Sequence, residues 1–380
     1  MNNKAFAIKK ITLSSTAVSI IWEDNKKSLF HFLWLRDNCP TSFHPDTRMR
    51  IFNILSVSKD IYPMKIKKEN NRLIIHWSEN NHISKYDLKW LRNHCYTNKN
   101  SQSTISKKIF WKNNLKSKLS LISFNYEKII KYEKNFIQWL ELLTSYGVTI
   151  IKQSPTTTNS GFKILKKIGT YRETFFGTPF EVVNIPKPNN QAYTSDALSN
   201  HTDLPYYEYV PGYQFLHCLK NSAKGGNSTI VDGFSVANYL KKNEKEIFNI
   251  LTNTEVKFKD NDYTQKSLRI FYSPIIKLNL QKNFDEIRMN LGAMATLDIK
   301  SNKMKRFYEA YRFFYSLLHN KKYLIEFKLT KGDILCFDNR RILHGRTSFN
   351  PLSGNRHLQG YYIEREEIYS KLNYLKKILI

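Results

Sequence analysis

Cysteine is scarce. The 380 residues hold four, Cys39, Cys95, Cys218 and Cys336, far apart and with no CxxC pair. That pattern argues against a disulfide framework and for free thiols in a reducing compartment. Acidic residues are also few, 32 against 60 basic, which leaves a net charge of +28. Such a surplus is the usual footprint of a nucleic-acid or anionic-membrane partner. Here the lysines are scattered rather than striped, and Lys, Asn, Ile and Tyr are all abundant, as an AT-rich genome would produce. No RNP motif, zinc-finger pair or helix-turn-helix cue accompanies the charge, so compositional drift is the better account and no nucleic-acid partner is expected. No apolar run is long enough to span a bilayer, and no signal peptide is read, so no membrane partner and a cytoplasmic location are expected. What is present is a hydrophobic content of 41%, enough for a real core in one large domain plus a smaller one.

Residues 1–97 read as a small β-rich module, in which runs such as Arg72-Leu73-Ile74-Ile75-His76-Trp77 alternate between Asn- and Lys-rich turns. Two similar phrases bracket it, Trp34 to Cys39 and Trp90 to Cys95. They fit a repeat, a coincidence or a shared helix-cap shape equally well. Residues 98–120 read as a polar connector. Residues 121–380 form the main domain. There the pattern is helical from Tyr126 to about Tyr146, with Gly147 as a stop, and Val148 to Ile151 reads as a buried strand. Another helix runs from Gly161 to about Tyr171. Short strands follow, clearest at Phe215–Leu219, Ser228–Val231 and Leu358–Tyr362, with a helical insert near Lys303–His319. Strands with helices packed outside them predict a mainly β, α+β domain with a barrel or jelly-roll core.

The chemistry concentrates in His201-Thr202-Asp203, answered downstream by His344 and then Arg356. Two imidazoles and one carboxylate can cap one face of an iron(II) ion and leave the other open for a co-substrate and oxygen. The first pair lies two residues apart, as on an extended segment or across a tight turn. His344 follows an apolar strand-like run from Asp333 to Phe337. Arg356 comes twelve residues later, where a returning strand could set a fixed cation beside the metal. An HxD tripeptide or a lone histidine is commonplace; the ordered set, with Gly225-Gly226 between its parts, is not.

These residues and their surroundings resemble the γ-butyrobetaine dioxygenase family, which includes trimethyllysine dioxygenase and is more distantly related to taurine dioxygenase. The resemblance is carried by Asn189 to Thr194, by His201-Thr202-Asp203-Leu204-Pro205-Tyr206, by Pro211 to Cys218, by Val231 to Phe234, by Phe337 to Arg346 and by Arg356 to Gly360. Trp34 to Cys39 and His82 resemble the family's small N-terminal domain, so the likeness covers nearly the whole chain. It implies a double-stranded β-helix core. It also implies hydroxylation of an unactivated C–H bond with iron(II), dioxygen and 2-oxoglutarate, giving succinate and carbon dioxide. On the matching positions His201, Asp203 and His344 would hold iron, and Arg356 would grip the far carboxylate of 2-oxoglutarate with its planar fork. Ser228 is a further candidate for that carboxylate, with an ordinary strand serine as the equal alternative. Whether ascorbate is needed stays open. Family members are often dimeric, so a homodimer is considered, although no interface signature is read.

At the substrate end, the implied partner is a quaternary amine. A trimethylammonium group has no N–H to donate, so aromatic faces must select it through cation–π attraction. The matching cage positions are Phe176, Phe180, Tyr193 and Tyr362, and Asn190 matches a polar position near the substrate carboxylate. Phe176 stands where tyrosine is common and Phe180 where tryptophan can occur; core packing is the alternative role for both. Arg288 and Asn290 are further candidates, although the following Leu291-Gly292-Ala293 is less polar than the family pattern. The small domain of the family often carries a structural zinc on three cysteines and a histidine. Here Cys39, His44 and His82 are the available ligands and Thr41 replaces a cysteine, a poor set for a closed four-ligand site. The leading expectation is conversion of γ-butyrobetaine to L-carnitine. Trimethyllysine or another quaternary amine is the alternative, with Glu208 as the one acidic candidate for an α-amino group. A catalytically dead homologue that binds nucleic acid is the alternative of a different class.

Overall fold

In the computed structural model, which describes residues 6–79, 81–97, 107–185 and 191–378, the chain separates into two units, Met1–Gln102 and Ser103–Ile380. The first is built twice over. Two three-stranded antiparallel meanders, Ile8–Leu13 with Ala17–Trp22 and Lys27–His31, and Pro63–Glu69 with Arg72–Trp77 and Ile83–Asp87, each run into a short helix, Phe32–Asp37 or Leu88–His94. Strand alternation buries Val18, Ile20 and Trp22 in one and Leu73, Ile75 and Trp77 in the other. In both, the middle strand's indole donates to a serine on the third: Trp22 Nε1 to Ser28 Oγ and Trp77 Nε1 to Ser84 Oγ, each at 2.8 Å. Trp34 and Trp90, on the two helices, meet with ring centroids 5.8 Å apart. The two similar phrases therefore occupy equivalent places in a structural repeat, which decides against coincidence.

In the second unit the helical pattern expected from Tyr126 resolves into two helices, Tyr126–Lys131 and Glu133–Tyr146. Gly147 ends the latter at φ +75°, a left-handed conformation that glycine adopts without a Cβ penalty. The helix expected from Gly161 is shorter, Phe162–Ile168, and ends at Gly169. The insert is the amphipathic helix Ser301–Leu318, whose Phe307, Ala310, Phe314 and Leu318 recur at helical spacing and are buried. Of the expected connector, residues 98–106 lie outside the described residues. The rest is not a free linker. Trp111 and Leu115 are buried, Trp111 Nε1 donates to the Tyr146 carbonyl at 2.8 Å, and Asn113–Ile122 forms a 3-10 segment.

Two sheets form the jelly-roll core, a double-stranded β-helix. The larger has Phe180–Val183, Arg356–Ile363, Tyr213–Asn221, Ile334–Asp338, Val148–Lys152 and Ser123–Asn125 in that spatial order. The smaller has Leu198–His201, Ile342–Arg346, Ser228–Asp232 and Ile325–Phe327. Buried apolar residues of both sheets share one core, including Cys218, Leu335, Ile230 and Ile342. Among the described residues, no helix is long and apolar enough to cross a membrane.

Arg341 clamps the start of the strand that carries His344. Its fully buried guanidinium donates to Asp232 Oδ1 at 3.0 Å and Oδ2 at 2.8 Å, and to the carbonyls of Ser145 and Ile109. Removing one partner of a buried ion pair strands the other charge in a low-dielectric interior, so Arg341→Met should cost about 3–5 kcal/mol. Urea unfolding followed by circular dichroism measures this; a loss under about 1 kcal/mol would show that Asp232 finds another partner.

Candidate metal centre

Strand register makes the site. His201 ends the strand Leu198–His201 and lies opposite His344 on Ile342–Arg346. Directly opposed residues of an antiparallel pair project on the same face, and the two imidazole centroids stand 4.3 Å apart. Leu204, just after Asp203, has φ +56°, a conformation uncommon outside glycine, so the chain turns sharply beside the carboxylate. Asn339 fixes that turn from both sides: its Oδ1 accepts the Asp203 N–H at 2.7 Å and its Nδ2 donates to the Asp203 carbonyl at 3.1 Å. Thr202 is held as well, donating its N–H to the Met289 carbonyl at 2.7 Å and accepting the Met289 N–H on Oγ1 at 3.0 Å. As a result, ligand atoms of His201, Asp203 and His344 all lie within 4.8 Å of one another, the one such group of three or more His, Cys, Asp or Glu among the described residues.

The protonation pattern fits a cation at that point. His201 Nδ1 is 2.8 Å from the Ser199 carbonyl, which only accepts, so Nδ1 carries the proton. Nε2 faces Asp203 Oδ1 at 3.1 Å, and His344 Nε2 is 3.7 Å from the same oxygen. Burial pushes the Asp203 carboxyl up, but His344, His201 and the Tyr362 hydroxyl outweigh it and hold the group well below the ordinary carboxylate range. Burial first, then His201, pushes the His344 imidazole down to about 3, so it is a neutral donor at physiological pH. Two imidazole Nε2 atoms thus converge on a carboxylate. A divalent metal relieves that crowding, and the N,N,O set with one open face suits iron(II). Tyr362 Oη donates to Asp203 Oδ2 at 2.6 Å and leaves Oδ1 facing the histidines.

A cavity of about 280 Å³ opens over this centre and takes in His201 and Asp203. Phe176, Phe180, Tyr193 and Tyr362 all line it. Phe180 and Tyr362 sit on neighbouring strands and stack at 5.0 Å, and Phe176 lies 6.3 Å from Phe180. The stack needs Gly360 opposite Phe180, because a Cβ there would fall 1.9 Å from the Phe180 ring. Asn290 also lines the cavity, and its Oδ1 accepts the Gly292 N–H at 3.0 Å. Gln191, Tyr206, Lys259 and Asp260 line the cavity as well. Gln191 and Tyr206 lie within the motifs at 189–194 and 201–206. Asp260 sits on the hairpin strand Glu255–Asp262, paired with Arg269 at 2.9 Å, and carries no local signal.

Other expected residues fall differently. Arg356 begins its strand beside Gly226, where a Cβ would stand 3.2 Å from Arg356 Cδ, so the Gly-Gly turn makes room for the guanidinium stem. Its Nε is buried with no hydrogen-bond partner among the described residues. An unmatched buried donor is costly, which fits an anionic ligand brought in from outside. Ser228 is buried at the start of Ser228–Asp232 in the smaller sheet, opposite Arg346. Arg288 corrects the expectation placed on it. It is buried, ion-paired with Glu286, and donates to the carbonyls of Pro205, Tyr207 and Glu208; it does not line the cavity. Asn190 lies outside the described residues. In the first unit, His82 Nε2 is 3.4 Å from Cys39 Sγ, but His44 Nδ1 accepts the backbone N–H groups of Asp46 and Thr47. Cys39, His44 and His82 are not brought together, so they do not fit a closed zinc site.

Comparison with known proteins agrees with this geometry. Residues 113–362 match the family described as taurine catabolism dioxygenase TauD, TfdA family, and residues 10–92 match the gamma-butyrobetaine hydroxylase-like N-terminal family. The chain is 34% identical to the gamma-butyrobetaine dioxygenase of Pseudomonas sp. (strain AK-1) over 368 residues, covering 96% of this chain and 94% of the relative. It is 31% identical to the human gamma-butyrobetaine dioxygenase, with 95% and 94% covered. A trimethyllysine dioxygenase from Meyerozyma guilliermondii is 28% identical, with 97% and 96% covered.

Tyr362→Phe keeps the aromatic ring and removes the hydroxyl that orients Asp203. Groups that orient metal ligands typically contribute about 10–100-fold in affinity, so anaerobic iron(II) titration should show a loss in that range. An unchanged affinity would mean that Asp203 is held by Asn339 alone.

Proposed function

Because this chain belongs to the TauD/TfdA dioxygenase family, in its gamma-butyrobetaine hydroxylase-like branch, we propose that it hydroxylates γ-butyrobetaine to L-carnitine. The observation that carries the reading is the cavity itself: one wall is aromatic, and it opens onto His201 and Asp203 of the cluster that His344 completes. His201, Asp203 and His344 hold the ion, and Arg356 engages the far carboxylate of 2-oxoglutarate. When bound, iron(II) with 2-oxoglutarate and dioxygen supplies the oxidising power for C–H hydroxylation, with release of succinate and carbon dioxide.

The protein's own part is aim and exclusion. Phe176, Phe180, Tyr193 and Tyr362 present ring faces to the trimethylammonium group, each worth roughly 0.5–2 kcal/mol when well placed. Tyr206 adds a fifth ring, its hydroxyl kept protonated by burial and by the nearby Asp260 and Asp203 carboxylates. Tyr362 joins the two halves, since one side chain both faces the cavity and fixes the Asp203 carboxylate. Trimethyllysine would need an acidic partner for its α-amino group. Glu208 is exposed and outside the cavity, and Asp260, though inside it, is engaged by Arg269. This favours the substrate without the extra amine.

Incubation with iron(II), 2-oxoglutarate and γ-butyrobetaine should release succinate in step with a product heavier by one oxygen. Competition with trimethyllysine should leave the betaine preferred; the reverse preference, or no stimulated 2-oxoglutarate turnover, would sink the substrate assignment. His344→Ala should abolish turnover while the far-UV spectrum is kept. Arg356→Lys keeps the charge but loses the planar fork, and should chiefly weaken 2-oxoglutarate binding.

A further inference from the structure

Two guanidiniums lie close together beside the metal strands, and they are in opposite states. Arg356 has a buried Nε with no partner. Arg346, two residues beyond His344 and buried, is nearly saturated. Its Nε donates to the Asp196 carbonyl at 3.3 Å, its Nη1 to Ala192 at 2.8 Å, and its Nη2 to Gln191 at 3.2 Å and to Thr194. Four of the five N–H donors of an arginine are thereby used on one short segment. Among the described residues no carboxylate pairs with it. Its charge is balanced by carbonyl oxygens of one segment instead of by an ion pair, so what it fixes is that segment.

What Arg346 grips is the cavity wall. The segment it holds contains the turn Gln191–Tyr193, whose three residues all line the cavity, and it leads directly into the strand that ends in His201. Arg346 itself pairs with Leu198 on that strand, and Leu198 also lines the cavity. The grip therefore spans the turn from one rigid element, the strand bearing His344. A lysine could not reproduce it, because its single ammonium cannot reach carbonyls spread over six residues in a planar fan.

We propose that Arg346 is a positioning residue for the substrate: it holds the Gln191–Asp196 segment against the metal strand so that Tyr193 stands at a fixed place over the metal, while the neighbouring Arg356 is left to the co-substrate. The proposal rests on the betaine reading above for the identity of the substrate, not for the grip. Its consequence is a division of labour between adjacent arginines. Loosening the segment misplaces the betaine without touching 2-oxoglutarate. The co-substrate is then consumed with less hydroxylated product formed, and a misplacement of about 1 Å is enough to cost orders of magnitude in productive turnover.

The test compares Arg346→Lys with Arg356→Lys in the full-length chain loaded with iron(II). For Arg346→Lys, KM for γ-butyrobetaine should rise roughly tenfold or more, and succinate formed per hydroxylated product should increase. Its 2-oxoglutarate dissociation constant should stay within about threefold of the parent, because the fork that meets the diacid is untouched. Amide hydrogen exchange should speed up across residues 191–196 while 342–345 stays protected. Arg356→Lys should show the converse, a loss confined to 2-oxoglutarate. In the double variant with Tyr193→Ala, the Arg346 change should raise KM no further than Tyr193→Ala alone. Weakened 2-oxoglutarate binding by Arg346→Lys with an unchanged betaine KM overturns the proposal, as does unchanged exchange at 191–196. If Arg346→Lys does not fold, Arg346→Gln, which keeps a planar donor, is read in the same assays. If the parent enzyme turns over no betaine, the substrate reading fails, and the exchange measurement still decides the proposal.

Discussion

The large unit depends on two antiparallel strands staying in register. His201 and His344 converge because they are opposed residues on Leu198–His201 and Ile342–Arg346. A slip of one residue would send one imidazole to the other face of the sheet. The second strand is protected against this by being interior, with Ile230 opposite His344 on its other side. It is also pinned at both ends, by Arg341 on Asp232 and by Arg346 on the carbonyls of the preceding loop. The carboxylate ligand, by contrast, comes from a turn, and so needs its own brace in Asn339.

Buried positive charge separates structure from chemistry in this strongly basic chain. Arg288, Arg341 and Arg365 are each matched to a buried carboxylate, Glu286, Asp232 and Asp338 in turn, and to carbonyl oxygens besides. Such pairs are internally complete and ask nothing of a ligand. Arg356 is incomplete. Net charge says little about this protein's partners; the state of satisfaction of each buried guanidinium says much more.

The His201–Asp203–His344 cluster and the buried, incomplete Arg356 were legible because the types and the order of the residues are distinctive, and because alternation within short strands is easy to read. The paired helices of the first unit were legible only as a repeated phrase, and needed the Trp–Ser bonds to become a repeat. Arg288 misled because nearness to Asn290 in sequence does not say which way a long side chain folds; its fork turned to the carbonyls at 205–208. Asp260 reaches the cavity through hairpin placement, which no local pattern announces. The stretch 107–120 looked like a linker because its apolar residues are too sparse for a periodicity, yet Trp111, Leu115 and the Asn113 hydrogen bonds fasten it.

The doubled meander of the small unit has a practical corollary. Its interior is closed by indole-to-hydroxyl bonds and by Phe30, Leu35, Trp77 and Leu91, with His44 turned to its own loop instead of toward Cys39. Cohesion there rests on apolar packing and these hydrogen bonds, and Cys39, His44 and His82 are not gathered into one ligand set. Chelators used during purification should therefore strip the ferrous ion from the large unit and leave the small one folded, so that apoprotein prepared with EDTA is a sound starting point for anaerobic reconstitution.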